Sequence, residues 1–187
     1  MDTRKNLGLF LKETGRNRRI AEVGVLVGKF SKWLLLADPE LLVLIDAWAE
    51  GKYGDQDVPY TVDGLGGRHA RTFFRYLEDD RVRVFREDSV KAAMAFPNDY
   101  FDCVYIDANH TVDGCYGDMV AYWPKVRAGG LLCGHDYKMG YRSRLGVPFG
   151  VVEAVEKFTQ EYGLAGRVQL SGESMPSWFI EKGVWHG

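Results

Sequence analysis

The chain has no run approaching the roughly 20 consecutive apolar residues that a membrane helix needs, and no repeats or low-complexity linkers. A soluble, globular protein is expected, with no membrane partner. Cysteine is scarce: Cys103, Cys115 and Cys133 are odd in number and lack C-x-x-C spacing, and two of them lie in apolar strand-like runs. That argues against disulfides, zinc ligands or a nucleophile and for buried, reduced thiols. Neither sign of charge dominates. The formal net charge is -2, so no global positive field recruits nucleic acid, which is not expected as a main partner despite the local cluster Arg16, Arg18 and Arg19. The opening "MDTRKNLGLFLKETGRNRR" is charged, but its apolar part, Leu7 to Leu11, is too short for a signal-peptide core and no small-residue cleavage site follows. Residues 1–18 therefore read as an N-terminal helix of a cytoplasmic protein, and 187 residues fit one domain, 1–187, with one site on one scaffold.

Short aliphatic runs alternate with helical patterns for almost the whole length. Strands are expected at Arg19 to Val23, Leu41 to Ile45, Val82 to Phe85, Phe101 to Ile106 and Gly130 to Gly134; their near-continuous apolar character suits strands buried on both faces. Val112, Cys115, Tyr116, Met119, Val120 and Trp123 form one helical stripe, read as core packing without chemistry, and Val151 to Tyr162 repeats the spacing. "RVQLSGESMPSWFIEKG" reads as two strands joined by a polar turn. Five β-then-α steps closed by a hairpin give an α/β sandwich: a mostly parallel, seven-stranded sheet with a C-terminal antiparallel hairpin. Two long segments after strand ends, 49–66 and 137–149, are candidate lid or substrate loops, because open α/β sheets bind ligands at the carboxyl edge. A floppy insertion is the alternative for Lys52 to Asp57.

"AEVGVLVGKFSKW", Ala21 to Trp33, nearly spells two phosphate-binding motifs. A P-loop needs four residues before Gly-Lys and a hydroxyl directly after the lysine; here three intervene, and Phe30 separates Lys29 from Ser31. The dinucleotide pattern G-x-G-x-x-G fails because Val25, Leu26 and Val27 lie between Gly24 and Gly28. What stands is E-x-G-x-x-x-G-x-x-S, with Gly24 for close backbone approach and Gly28 opening a helix. Glu22 favours a cation and would repel a pyrophosphate, so the ligand expected at this turn is small and carries positive charge. About 20 residues on, Asp46 sits at the tip of the second strand, where a carboxylate accepts from two ribose hydroxyls, followed by Ala47 and Trp48. "VFREDSVKAA" adds Asp88, an acceptor for an adenine amino group, and Ser89, for which a helix N-cap is the safer role.

The block "FDCVYIDANHTVDGCYGDMVAYWPKVRAGGLLCGHDY", with the glycine-hinged turn and Asp46, resembles class I S-adenosylmethionine-dependent methyltransferases of the type carrying an "IDG-H-Y" segment, an amphipathic helix, a Gly-Gly strand and a final "HDY". The match spans about Ile20 to Phe158 and is similar in layout to catechol-type and sugar O-methyltransferases. The resemblance implies a Rossmann-like three-layer sandwich and S-adenosylmethionine bound by Glu22, Gly24, Gly28, Ser31, Asp46, Ala47, Trp48, Asp88, Ser89 and Asp107, with Ser31 meeting the carboxylate end. It also implies a divalent metal, Mg²⁺ or Mn²⁺, at Asp107, His135 and Asp136. His135 departs from the aspartate that the magnesium enzymes usually present, and an imidazole favours Mn²⁺, Fe²⁺ or Zn²⁺. His110, three residues past Asp107, stands where the catechol-type enzymes place a lysine base, so His110 and Asp107 are the candidate catalytic pair; a surface histidine opening a helix is the alternative. Asn109 orients substrate or caps the same helix. Trp48, Tyr53 and Tyr60 are expected in the lid, while His69 and His186 read as surface residues.

The expected reaction is O-methylation of a small-molecule hydroxyl, on a sugar or a natural-product-like acceptor. The signature [DN]-P-P-[YFW] of amide and base N-methylation is absent. A non-catalytic cofactor-binding module, a nicotinamide oxidoreductase and a P-loop nucleotidase remain as rivals, the last two against the glycine spacing. A homo-oligomer stays open.

Overall fold

Strands that read as apolar on every residue pair with one another, because both of their faces must be covered. The computed structural model of the chain describes residues 2–48, 52–53, 56–57, 62–140 and 148–183, of which 52–53, 56–57 and 62–67 as backbone alone. Four strands stand parallel: β1 (Arg19–Val23) lies between β2 (Leu41–Asp46) and β6 (Phe101–Ile106), and β5 (Val82–Arg86) flanks β2. On the far side β7 (Val126–Gly134) pairs parallel with β6. It is followed by β9 (Trp178–Glu181) and β8 (Gln169–Leu170), both antiparallel to their neighbours. The order β5-β2-β1-β6-β7-β9-β8 gives the seven-stranded, mostly parallel sheet and terminal hairpin expected. The chain builds outward from β1 to β5, then returns to place β6 beside β1. That reversal opens a crevice at the carboxyl ends of β1 and β6.

The period of two along each strand sorts side chains into two cores. Val104 and Ile106 of β6 join Met119, Tyr122 and Phe158 beneath α4 (Ser89–Ala93), α5 (Val112–Tyr122) and α6 (Val151–Glu161). Cys103 and Tyr105 face the other way, against Leu7, Leu11, Leu34 and Tyr76 from α1 (Leu7–Glu13), α2 (Ser31–Leu34) and α3 (Val62–Tyr76). Each fully buried large apolar side chain here contributes roughly 1.5–3 kcal/mol. All three cysteines are buried free thiols. Among the described residues no helix is long and apolar enough to cross a membrane.

Several boundaries differ from the expected ones, each for a local reason. β7 begins at Val126 rather than Gly130, and the extra residues are absorbed by a register shift opposite Phe101 and Cys103. Gly28 does not open a helix: residues 26–30 form a turn and α2 starts only at Ser31. The segment 49–66 is not one long loop, since it holds β3 (Lys52–Tyr53) and β4 (Gln56–Asp57), an antiparallel pair, and the start of α3. The Tyr53 side chain, Tyr60, His186 and residues 141–147 of the second candidate lid lie outside the described residues.

At Gly24 the turn after β1 runs directly against the backbone that follows β6. The φ of Gly24 is +89°, and a Cβ there would lie 2.1 Å from the carbonyl oxygen of Asp107 and 2.6 Å from the Cα of Ala108. Both obstacles are backbone, so neither can rotate away. Gly24→Ala should lose about 3 kcal/mol or more in urea unfolding. Gly15→Ala, at φ +67° with nothing within 4 Å, should lose only the roughly 1–2 kcal/mol of left-handed strain. Equal losses would show that strain alone, not the approach of the strands, requires glycine at position 24.

Candidate active site

A cleft of about 770 Å³ runs along the carboxyl ends of β1, β2 and β6. Its floor is the turn after β1, and that turn is held by one carboxylate. Asp46 Oδ2 accepts from the backbone N–H groups of Val25 (2.9 Å) and Leu26 (2.8 Å), and Oδ1 accepts from Trp48 (2.8 Å). The indole of Trp48 donates to the Leu26 carbonyl at 2.8 Å. Both residues take left-handed φ values, 57° at Leu26 and 39° at Trp48. Asp46 thus lies in the cleft as expected of a ribose acceptor, with three of its acceptor sites already engaged in shaping the turn.

Of the residues expected at this end, Glu22, Gly24, Asp46, Ala47 and Trp48 line the cleft. Ser31 does not meet it. Fully buried, its hydroxyl donates to Glu22 Oε2 at 2.5 Å. Gly28 faces α3, where the Tyr76 hydroxyl donates to its carbonyl at 2.6 Å. Glu22 is 1% exposed. Burial pushes its carboxyl up to about 8 against the Ser31 hydrogen bond, and the charges of Asp107 and Asp46 add to the rise. His69, expected at the surface, is half-buried, its ring packing 4.8 Å from that of Trp48.

The opposite wall comes from α4 and α5. Asp88, rather than Ser89, caps α4, its carboxylate accepting from the Lys91 N–H at 3.1 Å. Ser89 donates instead to Asp118 Oδ1 at 2.5 Å. Asp118 is 2% exposed, its Oδ2 has no partner, and burial pushes it up to about 7. Thr111, not Asn109, caps α5 through the Gly114 N–H; Asn109 holds Thr111 in turn. The apolar stripe of α5 was expected to carry packing only; outside it, the cleft-facing edge presents Gly114, Gly117 and Asp118. The apolar stripe packs inward through Cys115 and Met119, and the glycines stand on the other side of the helix. At Gly117 a Cβ would meet nothing within 4 Å, so this edge leaves open space.

At the β6 end three groups converge. Ligand atoms of Asp107, His110 and Asp136 lie within 4.8 Å of one another. His110 Nε2 is 2.7 Å from Asp136 Oδ2 and 3.3 Å from Asp107 Oδ1. Its ring stacks on Phe149 at 4.4 Å and 12°, and the Gly150 N–H donates to its carbonyl at 2.7 Å. His135 stands outside the trio. It is its Nδ1 that contacts Asp136, at 2.9 Å from Oδ1, so it orients that carboxylate where direct ligation was expected. Burial works against a charged His110, but the hydrogen bonds to Asp107 and Asp136 outweigh it and hold the ring up to about 9. Asp136 is held well below the usual carboxylate range by His110 and His135, despite its burial. Arg4 was not anticipated: its Nη1 reaches Asp107 Oδ2 at 3.2 Å from the N-terminal segment.

The raised Glu22 carboxyl has a consequence for folding. Below about pH 4.5 the proton is held in both states. Between there and about 8 the unfolded chain releases it while the folded chain keeps it, so stability falls as pH rises through that window and levels off above it. Glu22→Gln removes this slope. The variant should gain on the parent by a few kcal/mol between pH 5 and pH 8.5, read from urea unfolding at both values. An unchanged difference would mean that Glu22 ionises freely when folded.

Comparison with known proteins agrees with this geometry. A family model described as "Methyltransferase domain" matches residues 21–137, from β1 to just beyond β7. No curated protein sequence matches. Among solved structures, the O-methyltransferase NovP superposes with a TM-score of 0.68 at 15% identity, over 97% of this chain and 78% of that one. An O-methyltransferase from Bacillus cereus, in complex with SAH, gives 0.63 at 18%, over 94% and 78%. A spermidine synthase from Thermotoga maritima gives 0.61 at 13%, over 92% and 56%. At such identities likeness of structure speaks for fold and leaves chemistry to the site. The family match covers more than half of the chain and contains the glycine-hinged turn, Asp46 and the Asp107 to Asp136 trio, so the protein belongs to the methyltransferase-domain family.

Proposed function

We propose that the protein methylates a hydroxyl of a small molecule, on a sugar or a natural-product-like acceptor. The observation that carries this reading is the convergence of Asp107, His110 and Asp136 at one end of the cleft whose other end holds Asp46, Ser89 and Asp118. S-adenosylmethionine supplies an already activated methyl group, which leaves alignment and proton removal to the protein. Asp46 and the open edge of α5 would hold the adenosine part, and the acidic end would receive the sulfonium. The acceptor oxygen attacks the methyl carbon as the carbon–sulfur bond breaks, and its proton passes toward His110 Nε2. The stack on Phe149 holds that ring, and the Gly150 hydrogen bond fixes the His110 backbone. As an imidazolium His110 has no lone pair to offer, so it acts as base only from the neutral state.

One imidazole and two carboxylates so close together suit a divalent cation, with Asp107, His110 and Asp136 as its ligands and His135 behind Asp136; in that form the His110 nitrogen is a ligand and no longer the base. Such an ion would lower the pKa of an acceptor hydroxyl. A non-catalytic cofactor-binding module is the second reading, favoured by the pairing of both carboxylates with His110 rather than with open solvent.

Two measurements test these readings. S-adenosylhomocysteine should bind in calorimetry at micromolar levels, and Gly117→Leu should weaken it by about 100-fold or more with no loss of melting temperature, because the added side chain enters the cleft and removes a helix-interior glycine. Binding that survives the substitution would place the cofactor elsewhere. With radiolabelled S-adenosylmethionine and an extract of small molecules, label should move to a compound. Chelation should abolish that transfer and Mn²⁺ or Mg²⁺ restore it, whereas transfer that persists after exhaustive chelation would remove the metal. No transfer to any compound would favour the binding module.

A further inference from the structure

The residues before α1 fold back over the cleft. The turn Arg4–Asn6 is anchored by its backbone, because the Arg4 N–H donates to Glu173 Oε1 at 2.8 Å, and Glu173 accepts in turn from Ser171 and Ser177. The Arg4 side chain then points inward. Its guanidinium carbon lies 5.2 Å from the centroid of Phe30, and Nη1 stands 3.2 Å from Asp107 Oδ2, with about a third of the side chain exposed. As an ion pair alone this contact is worth little. Its position is more informative than its strength.

An α-amino acid carries an ammonium and a carboxylate on one carbon. The cleft wall offers the complement: a guanidinium at Arg4 beside the carboxylate of Asp107, with Glu22 buried behind. Asp107 serves the two sides with different oxygens, Oδ2 toward Arg4 and Oδ1 toward His110. Ser31 is closed off and bonded to Glu22. Lys5 and Lys29 also reach this part of the cleft, but Lys5 lies over Trp33 and Lys29 is exposed. Arg4 combines a fixed backbone, a stacked guanidinium and N–H donors beyond those engaged by Asp107 and Tyr105, which suits fork-like recognition of a carboxylate.

We propose that Arg4 binds the α-carboxylate of the cofactor's amino-acid tail, the acidic side of the same wall receiving the ammonium. This rests on the cofactor reading above. The test is calorimetry with two ligands, S-adenosylhomocysteine and 5′-methylthioadenosine, which shares the adenosine and sulfur but lacks the amino acid. Arg4→Ala should weaken S-adenosylhomocysteine by about 10-fold or more and leave 5′-methylthioadenosine unchanged, while Arg4→Lys recovers part of the loss. Equal weakening of both ligands would mean that Arg4 only docks the N-terminal segment, and tighter binding by Arg4→Ala would mean that it obstructs the cleft; either overturns the proposal. If the parent protein binds neither ligand, the cofactor reading itself falls, and this proposal with it.

Discussion

The cleft depends on a single carboxylate. Asp46 accepts hydrogen bonds from three backbone N–H groups in two different loops, and so ties the turn after β1 to the end of β2. Two of those residues, Leu26 and Trp48, sit in a backbone region that non-glycine residues rarely occupy. Such conformations persist only where the surroundings over-determine them. Hydrogen bonds to a charged acceptor are about twice as strong as neutral ones, and the Trp48 indole closes the same loop on the Leu26 carbonyl. The turn is therefore built before any ligand arrives. A cofactor binding there need not order it, which leaves more of the interaction energy as affinity.

Around this fixed turn the protein keeps acidic groups in dry places. Glu22 and Asp118 are almost wholly buried at opposite walls, and burial raises both. Buried carboxyls without a cation are costly, so a fold retains them for a reason beyond packing. In the function proposed above, a ligand carrying a sulfonium and an ammonium would supply the missing positive charge at the Glu22 end. At the other wall the partner is polar rather than charged. Ser89 gives its hydroxyl hydrogen to Asp118 and so turns its lone pairs outward, suited to an N–H such as that of an adenine amino group.

How much of this could be read from residues alone follows from the range of each interaction. The central strands were legible because burial on both faces writes an unbroken apolar run, and the Asp46 and Asp107 positions because they end such runs. Gly28 and Ser31 were misplaced for a local reason: three more residues of turn precede α2, so the motif's second half faces α3 and the core instead of the ligand. His135 and His110 were both visible as histidines near strand tips. Only the fold shows that the first orients Asp136 while the second stands between the two carboxylates. Asp118 carried no signal, since its importance arises from Ser89, 29 residues away in sequence. Arg4 lies farther still, 103 residues from Asp107.

That distance also explains how so short a chain encloses a charged site. The sheet alone leaves the β1 and β6 tips open, and the loops that follow them supply turn and acid but little cover. The segments outside the central strands complete it. The N-terminal turn crosses the cleft, and the connection between β8 and β9 holds it there through Glu173. Glu173 bonds the backbone of Arg4 and not its guanidinium, so the anchor fixes where the arm stands. The guanidinium stays directed at Asp107, which also belongs to the trio with His110 and Asp136. A shift of the N-terminal arm would thus change the charge felt by Asp107 on one oxygen and, through the other, the hold of the carboxylates on His110.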